Sequence, residues 1–153
     1  MNLNLSTIQS SLLGLIVILL AACGQEKVAQ KPTFIQEGEV SYYHKSLEGG
    51  RTASGIPFRN DSPYAAHRHL PLGTEIEVIN LKNDSTMMLK VVDRGPYAKD
   101  RILDVSGMAA DKLNFREQGH TQIRLHAFVA DSIADSIRNK VPPSSLPKGE
   151  YTP

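Results

Sequence analysis

Two short runs constrain the fold more than any other part of the chain: Thr74–Asn80, TEIEVIN, and Thr86–Val92, TMMLKVV. The first alternates polar and apolar side chains with the two-residue period of a half-buried strand, and the second is an apolar strand candidate. Lys82-Asn83-Asp84-Ser85 between them supplies turn residues, so the pair reads as a β-hairpin. Upstream, Leu70-Pro71-Leu72-Gly73 has Pro second and Gly fourth, the pattern of a type I turn that delivers the chain into the hairpin.

Three further segments have strand character: Gly38–His44, Arg101–Val105 and Thr121–Val129, the last with Ile123, Leu125, Ala127 and Val129 on one face. Ser106 is placed to cap a helix over Gly107–Leu113, with Met108, Ala109 and Leu113 inward and Asn114 ending it. Many short strands with one brief helix imply a mainly β fold, a small closed or partly closed barrel. Ala130–Asn139 adds a helical turn or two, and the prolines at 142, 143, 147 and 153 then suggest a disordered tail.

The chain has 153 residues, enough for one domain. With 17 basic and 16 acidic residues its formal charge is +1, so bulk electrostatics do not point to a nucleic-acid partner. The N-terminal 22 residues contain no charged side chain, and Leu12–Ala22 is an apolar run of signal-peptide length, short for a membrane span. It ends in Leu20-Ala21-Ala22-Cys23, which resembles the lipobox of bacterial lipoproteins; Cys23 is the only cysteine in the chain, without a disulfide partner. The n-region has no Lys or Arg, and an uncleaved anchor or an ordinary core segment are the other readings of this run. Residues 1–22 are thus expected to be a lipoprotein signal peptide, 23–36 a lipidated tether, 37–130 the barrel, and 131–153 a helical turn with a Pro-rich tail. Gly24 after the cysteine fits sorting to the periplasmic face of the outer membrane, with lipidated Cys23 as the membrane anchor.

The chemistry-bearing residues cluster in three runs: RTASGIPF from Arg51, YAAHRHLPLG from Tyr64, and VVDRGPYAKDRILDVSG from Val91. In this order and spacing they resemble the rare lipoprotein A family of bacterial envelope lipoproteins. The resemblance implies a six-stranded double-psi β-barrel and a lytic transglycosylase acting on peptidoglycan glycan strands, favouring strands stripped of stem peptides. It assigns activity to Asp93 and His67. A third family position, a glutamate after Thr-Ala-Ser-Gly, is Ile56 here, which can neither transfer a proton nor accept a hydrogen bond; Glu48 is the nearest substitute in sequence. The family's aromatic pair near the first strand corresponds to Tyr42 and Tyr43, which keep a sugar-stacking surface. Thr52, Ser54 and Arg94 complete the expected substrate-binding set. Many relatives carry a further C-terminal glycan-binding domain, for which the stretch after Val129 is too short.

Breaking a glycosidic bond needs a proton on the leaving oxygen and stabilisation of an oxocarbenium-like centre. When the attacking group is the substrate's own C6 hydroxyl, one carboxyl serving as acid and then as base suffices, and Asp93 is the candidate. Burial beside Val91 and Val92 favours its protonated form and a nearby Arg94 opposes it, although neighbours on an extended segment point apart, leaving Arg94 for substrate or backbone. His67 is expected to orient Asp93 or to touch the sugar. Asp-Arg-Gly-Pro alone also fits a polar turn, and Asp104 fits the support of a helix start. His67 and His69 would share a strand face, yet two ligands do not close a metal site. No metal, cofactor or nucleic acid is expected; the partners are peptidoglycan and membrane, and the protein a monomer.

Overall fold

The computed structural model describes residues 31–147; the expected signal peptide, Cys23 and most of the tether lie outside them. Six strands close a barrel: β1 (Phe34–Tyr42), β2 (Tyr64–Ala66), β3 (Glu75–Asn80), β4 (Thr86–Asp93), β5 (Arg101–Val105) and β6 (His120–Ala127), in the spatial order β1-β5-β2-β4-β3-β6. β1 runs parallel to β5 and β2 to β4, while the remaining neighbours are antiparallel, the mixed crossing of a double-psi barrel. Helix α1 (Gly107–Lys112) packs beside the barrel, and α2 (Asp131–Arg138) follows it.

Alternation decides what faces inward. Ile76 and Val78 of β3, and Ile123, Leu125 and Ala127 of β6, are fully buried, as the two-residue period requires. They meet Phe34, Val40, Leu103 and Val105 in a single core that α1 extends through Ala109, Ala110 and Leu113. The Ser106 side chain accepts from Ala109 N–H, and Asn114, at φ 54°, leaves the helix in the left-handed region. Buried Asn80 ties the hairpin to this helix: its Nδ2 donates to Leu113 O at 2.8 Å, and its Oδ1 accepts from Lys82 N–H and Thr121 Oγ1.

Several boundaries differ from expectation. β1 begins at Phe34, three residues before the expected start of the barrel, because Phe34 is fully buried and its strand pairs with β6 from Phe34↔Ala127. β6 stops at Ala127, so Val129 lies beyond the strand. The turn before β3 sits one residue later than its Pro-Gly pattern suggests: Thr74 N–H donates to Pro71 O, and Gly73 takes φ 90° at the third position, which a type II turn reserves for glycine. The expected disordered tail is ordered as far as it is described. Arg138 Nη2 bonds Thr33 O, a 3-10 turn spans Pro143–Ser145, and Val141 and Leu146 join the core. Proline does not oppose order here, because Pro143 opens a 3-10 turn where its missing N–H has no partner to lose.

The register of β1 on β5 skips Ile102 between Glu39↔Arg101 and Val40↔Leu103, and Ile102 folds over Gly38. A Cβ on Gly38 would lie 2.7 Å from Ile102 Cγ2. Gly38→Ala should therefore lower the unfolding free energy by about 1–3 kcal/mol, and Ile102→Ala added to it should recover part of that loss. Chemical denaturation of the two single variants and the double variant tests this; strictly additive losses would show that the two side chains do not collide.

Candidate active site

The end of β4 is built by a one-residue irregularity. Ala65 of β2 pairs with Val91, but Ala66 pairs with Asp93, so Val92 is an extra residue in the ladder. Without it, Asp93 would share the inward face of Val91; with it, Asp93 sits beside Ala66 on the opposite face. Three donors converge on its carboxylate. Ala53 N–H and Arg94 N–H reach Oδ1 at 2.8 and 2.9 Å, and the Tyr43 hydroxyl reaches Oδ2 at 2.9 Å. The Tyr43 ring rests on Phe58, with centroids 4.4 Å apart. Burial first, then the charge of Asp93, push the Tyr43 phenol well above its ordinary range, so it stays a hydrogen-bond donor.

A second carboxylate stands on the far side of Ala66. Ala66 pairs on its other side with Asp104 of β5, so the two acids flank the Ala66 methyl from strands whose backbones are roughly 10 Å apart. Burial raises the Asp104 carboxyl from its ordinary range, and the charges of Arg101 and Arg68 only partly oppose it. Arg101 Nη1 lies 3.2 Å from Asp104 Oδ1, within ion-pair reach, yet that oxygen is buried and has no aligned hydrogen-bond donor among the described residues. A carboxyl in this state is suited to carry a proton.

The other expected site residues divide. His67 is buried and turned away from Asp93: the two residues share only a backbone bond, His67 N–H to Asp93 O at 3.2 Å. Its Nδ1 accepts from the N–H groups of His69 and Leu70, and its Nε2 faces Gln36 Oε1 at 3.0 Å. The ring therefore carries its proton on Nε2, pins the turn after β2, and neither orients the Asp93 side chain nor reaches a surface sugar. His67 also follows the strand rather than belonging to it, so it and His69 share no strand face, and neither ring nitrogen of His67 is open to a metal.

Arg94 is anchored to backbone through Nη1, which donates to His67 O and Leu70 O, and so braces the turn after β2. Tyr42 packs on the core side, 6.3 Å from the Phe115 ring and beneath Arg116, which removes it from the stacking surface and leaves Tyr43 alone. Thr52 is buried and closes the Arg51–Pro57 loop on itself through Ile56 O and the Ser54 hydroxyl, while Ser54 N–H donates to Val92 O and docks that loop on β4. Glu48 accepts from Asn60 N–H in the loop region and is not among the groups on Asp93.

Two contributors carry weaker sequence signals. Asp104 lies in a strand-to-cap segment that reads as structural. Tyr97, at the end of Asp-Arg-Gly-Pro-Tyr, is 84% exposed, and Gly95 lies between its ring and Ala66: a Cβ on Gly95 would be 3.9 Å from both Tyr97 Cε2 and the Ala66 methyl. An aromatic face held this open beside two carboxylates is the signal that marks it.

Residues 35–125 match the family described as lytic transglycolase. The chain is 47% identical over 102 residues to the protein named probable endolytic peptidoglycan transglycosylase RlpA of Aquifex aeolicus (strain VF5), covering 67% of this chain and 45% of that protein. It is 35% identical over 111 residues to the endolytic peptidoglycan transglycosylase RlpA of Neisseria meningitidis (strain MC58), covering 72% and 46%. The match thus spans less than half the length of these relatives. Among solved structures, Streptomyces papain inhibitor superposes with a TM-score of 0.51 at 22% identity, over 69% of this chain and all of that one. A Clavibacter michiganensis expansin superposes with a TM-score of 0.50 at 19% identity, over 63% and 51%, and both likenesses concern the fold.

Burial, then the charges of His69, Arg94 and Arg68, hold the His67 imidazole down to a pKa of about 3. Its ordinary value is 6.5, so as pH falls from 6.5 towards 3 the unfolded chain takes up a proton that the folded chain refuses. Stability contributed by the neutral ring is complete above pH 6.5 and is lost on acidification. Denaturant titrations between pH 6.5 and 4.5, above most carboxylate titration, should show unfolding free energy falling by up to about 1.4 kcal/mol per pH unit. NMR shifts of the ring should remain those of a neutral imidazole at pH 5; protonation near 6.5 would refute the buried, neutral state.

Proposed function

The chain belongs to the lytic transglycolase family of double-psi β-barrels, and from that premise we propose that it cleaves peptidoglycan glycan strands at the MurNAc-β-1,4-GlcNAc bond. The product is a 1,6-anhydro-MurNAc end. One observation carries this reading: a carboxyl raised by burial, Asp104, flanks Ala66 opposite a hydrogen-bonded carboxylate, Asp93, with the exposed Tyr97 ring beyond Gly95.

Asp104 donates its proton to the leaving GlcNAc oxygen as the C1–O4 bond breaks. Positive charge grows at C1, and the Asp93 carboxylate, fixed by three donors, faces it without having to reorganise. The C6 hydroxyl of the same MurNAc closes on C1 and passes its proton to Asp104, so the catalyst is restored and no water is consumed. This moves the acid role from Asp93, the candidate from sequence, to Asp104, because the oxygens of Asp93 are already engaged as acceptors. Tyr97 supplies a stacking face for a sugar ring and Tyr43 positions Asp93, while His67 supports the turn behind the site.

Ile56 favours a second reading, a barrel that holds glycan without cutting it. It is exposed and has no proton to give at the position where the family pattern carries a glutamate. Under either reading, Cys23 is the lipidation site that anchors the protein to the periplasmic face of the outer membrane; palmitate should label the chain and fail to label Cys23→Ser.

Mass spectrometry of soluble products from peptidoglycan sacculi tests the catalytic reading. The protein should release anhydro-muropeptides, and Asp104→Asn and Asp93→Asn should each reduce release by about 100-fold or more while sacculus pull-down persists. Loss in Asp93→Asn with full activity in Asp104→Asn would return the acid role to Asp93. No anhydro product from the unaltered protein, with pull-down intact, would establish the binding reading.

A further inference from the structure

Beside Asp104, and separated from it by Arg101, lies a cavity of about 50 Å³ that the proposed chemistry does not use. Arg68, His69, Lys99, Arg101 and Lys140 line it, with no acidic residue among its lining groups. Elsewhere on the surface cations are commonly offset: Arg124 pairs with Glu37, Arg116 with Asp111, Arg138 with Asp135 and Arg59 with Asp61. Here, among the described residues, no carboxylate stands within ion-pair distance of Lys99, Lys140 or Arg68. The single acid at the margin is Asp104, on Arg101, and the neighbouring Asp100 does not line the cavity.

The fold holds these charges together deliberately close. Arg68 is locked by hydrogen bonds to the carbonyl oxygens of Pro96, Ala98 and Arg101, which fixes the loop after Asp93 over the cavity. The far wall is the ordered tail: Val141 and Pro142 line the cavity with Lys140, and Ser145 is tied to Gln36 at 3.2 Å, which in turn meets His67. Burial and the charge of Lys140, followed by those of Arg68 and Arg94, disfavour protonation of His69, which leaves it a neutral donor or acceptor within a cationic rim. Like charges gathered without counter-charges repel one another unless an anion joins them.

We infer that this cavity is a carboxylate-binding subsite beside the Asp93–Asp104 face, with Lys99 and Lys140 as its charged donors. The identity of the ligand rests on the transglycosylase reading, whereas the existence of the subsite rests on the charge distribution. Peptidoglycan offers a carboxylate from two sources: the lactyl group of MurNAc when no peptide is attached, and the stem peptide when one is.

Binding to the full chain can be measured by titration calorimetry or ligand-observed NMR with three probes. Chitobiose has the sugar backbone and no carboxylate. The disaccharide GlcNAc-β-1,4-MurNAc has a free lactyl carboxylate and lacks the bond proposed to be cut. The same disaccharide carrying a stem peptide has its lactyl group capped and its carboxylates on the peptide. At least one carboxylated probe should bind more tightly than chitobiose, and Lys99→Gln/Lys140→Gln should remove about tenfold of that advantage while leaving chitobiose binding unchanged. Lys99→Arg/Lys140→Arg should retain it. Both lysines are exposed, so thermal unfolding should not change. Which carboxylated probe gains identifies the source. The subsite is refuted if neither gains over chitobiose, or if the advantage survives in the Gln pair. Because no probe is cleaved, these outcomes are independent of whether sacculi yield anhydro products.

Discussion

Much of the site depends on a single extra residue in a ladder. Val92 breaks the pairing of β2 with β4, and that break turns Asp93 from the barrel interior to the face it shares with Ala66 and Asp104. The Arg51–Pro57 loop then closes on the same bulge, with Ser54 N–H on Val92 O and Ala53 N–H on Asp93. Bulges kink a strand and redirect its side chains, and here the kink falls where two parallel crossovers bring β5, β2 and β4 side by side.

Behind this face the barrel holds a buried polar chain. His67 joins the N–H groups of His69 and Leu70 to Gln36, and Gln36 joins Ser145 of the tail. Burying such groups is tolerable because each finds a partner, and it favours a neutral imidazole. The chain links β1, the turn after β2 and the C-terminal segment, so the wall of the cationic cavity and the backbone beneath Asp93 are held by the same few bonds. His67 thus matters to the site through placement rather than through contact with Asp93.

The electrostatic design pairs opposites at short range. Asp93 is surrounded by donors, Asp104 is short of them, and Arg101 stands between Asp104 and the cationic cavity. Burial and a nearby arginine act on Asp104 in opposite directions, and burial prevails. One carboxylate fixed by donors and one carboxyl raised by burial thus stand on either side of Ala66, held in different protonation environments.

The sequence by itself determined the barrel. β3, β5, the helix capped by Ser106 and most of β4 and β6 follow from alternation, caps and turn residues, because burial of one strand face fixes which residues must be apolar. It also marked Asp93 and His67 through the motifs they occupy. It did not reveal that Tyr42 turns to the core while Tyr43 turns to Asp93, that Arg94 Nη1 binds backbone, that residues 140–147 are ordered, or that Asp104 and Asp93 flank Ala66 from its two neighbouring strands. Tertiary structure decided these. A residue's local pattern states which face of its own strand it occupies, but a bulge resets that face, and the partners that set a carboxyl's protonation arrive from strands distant in sequence.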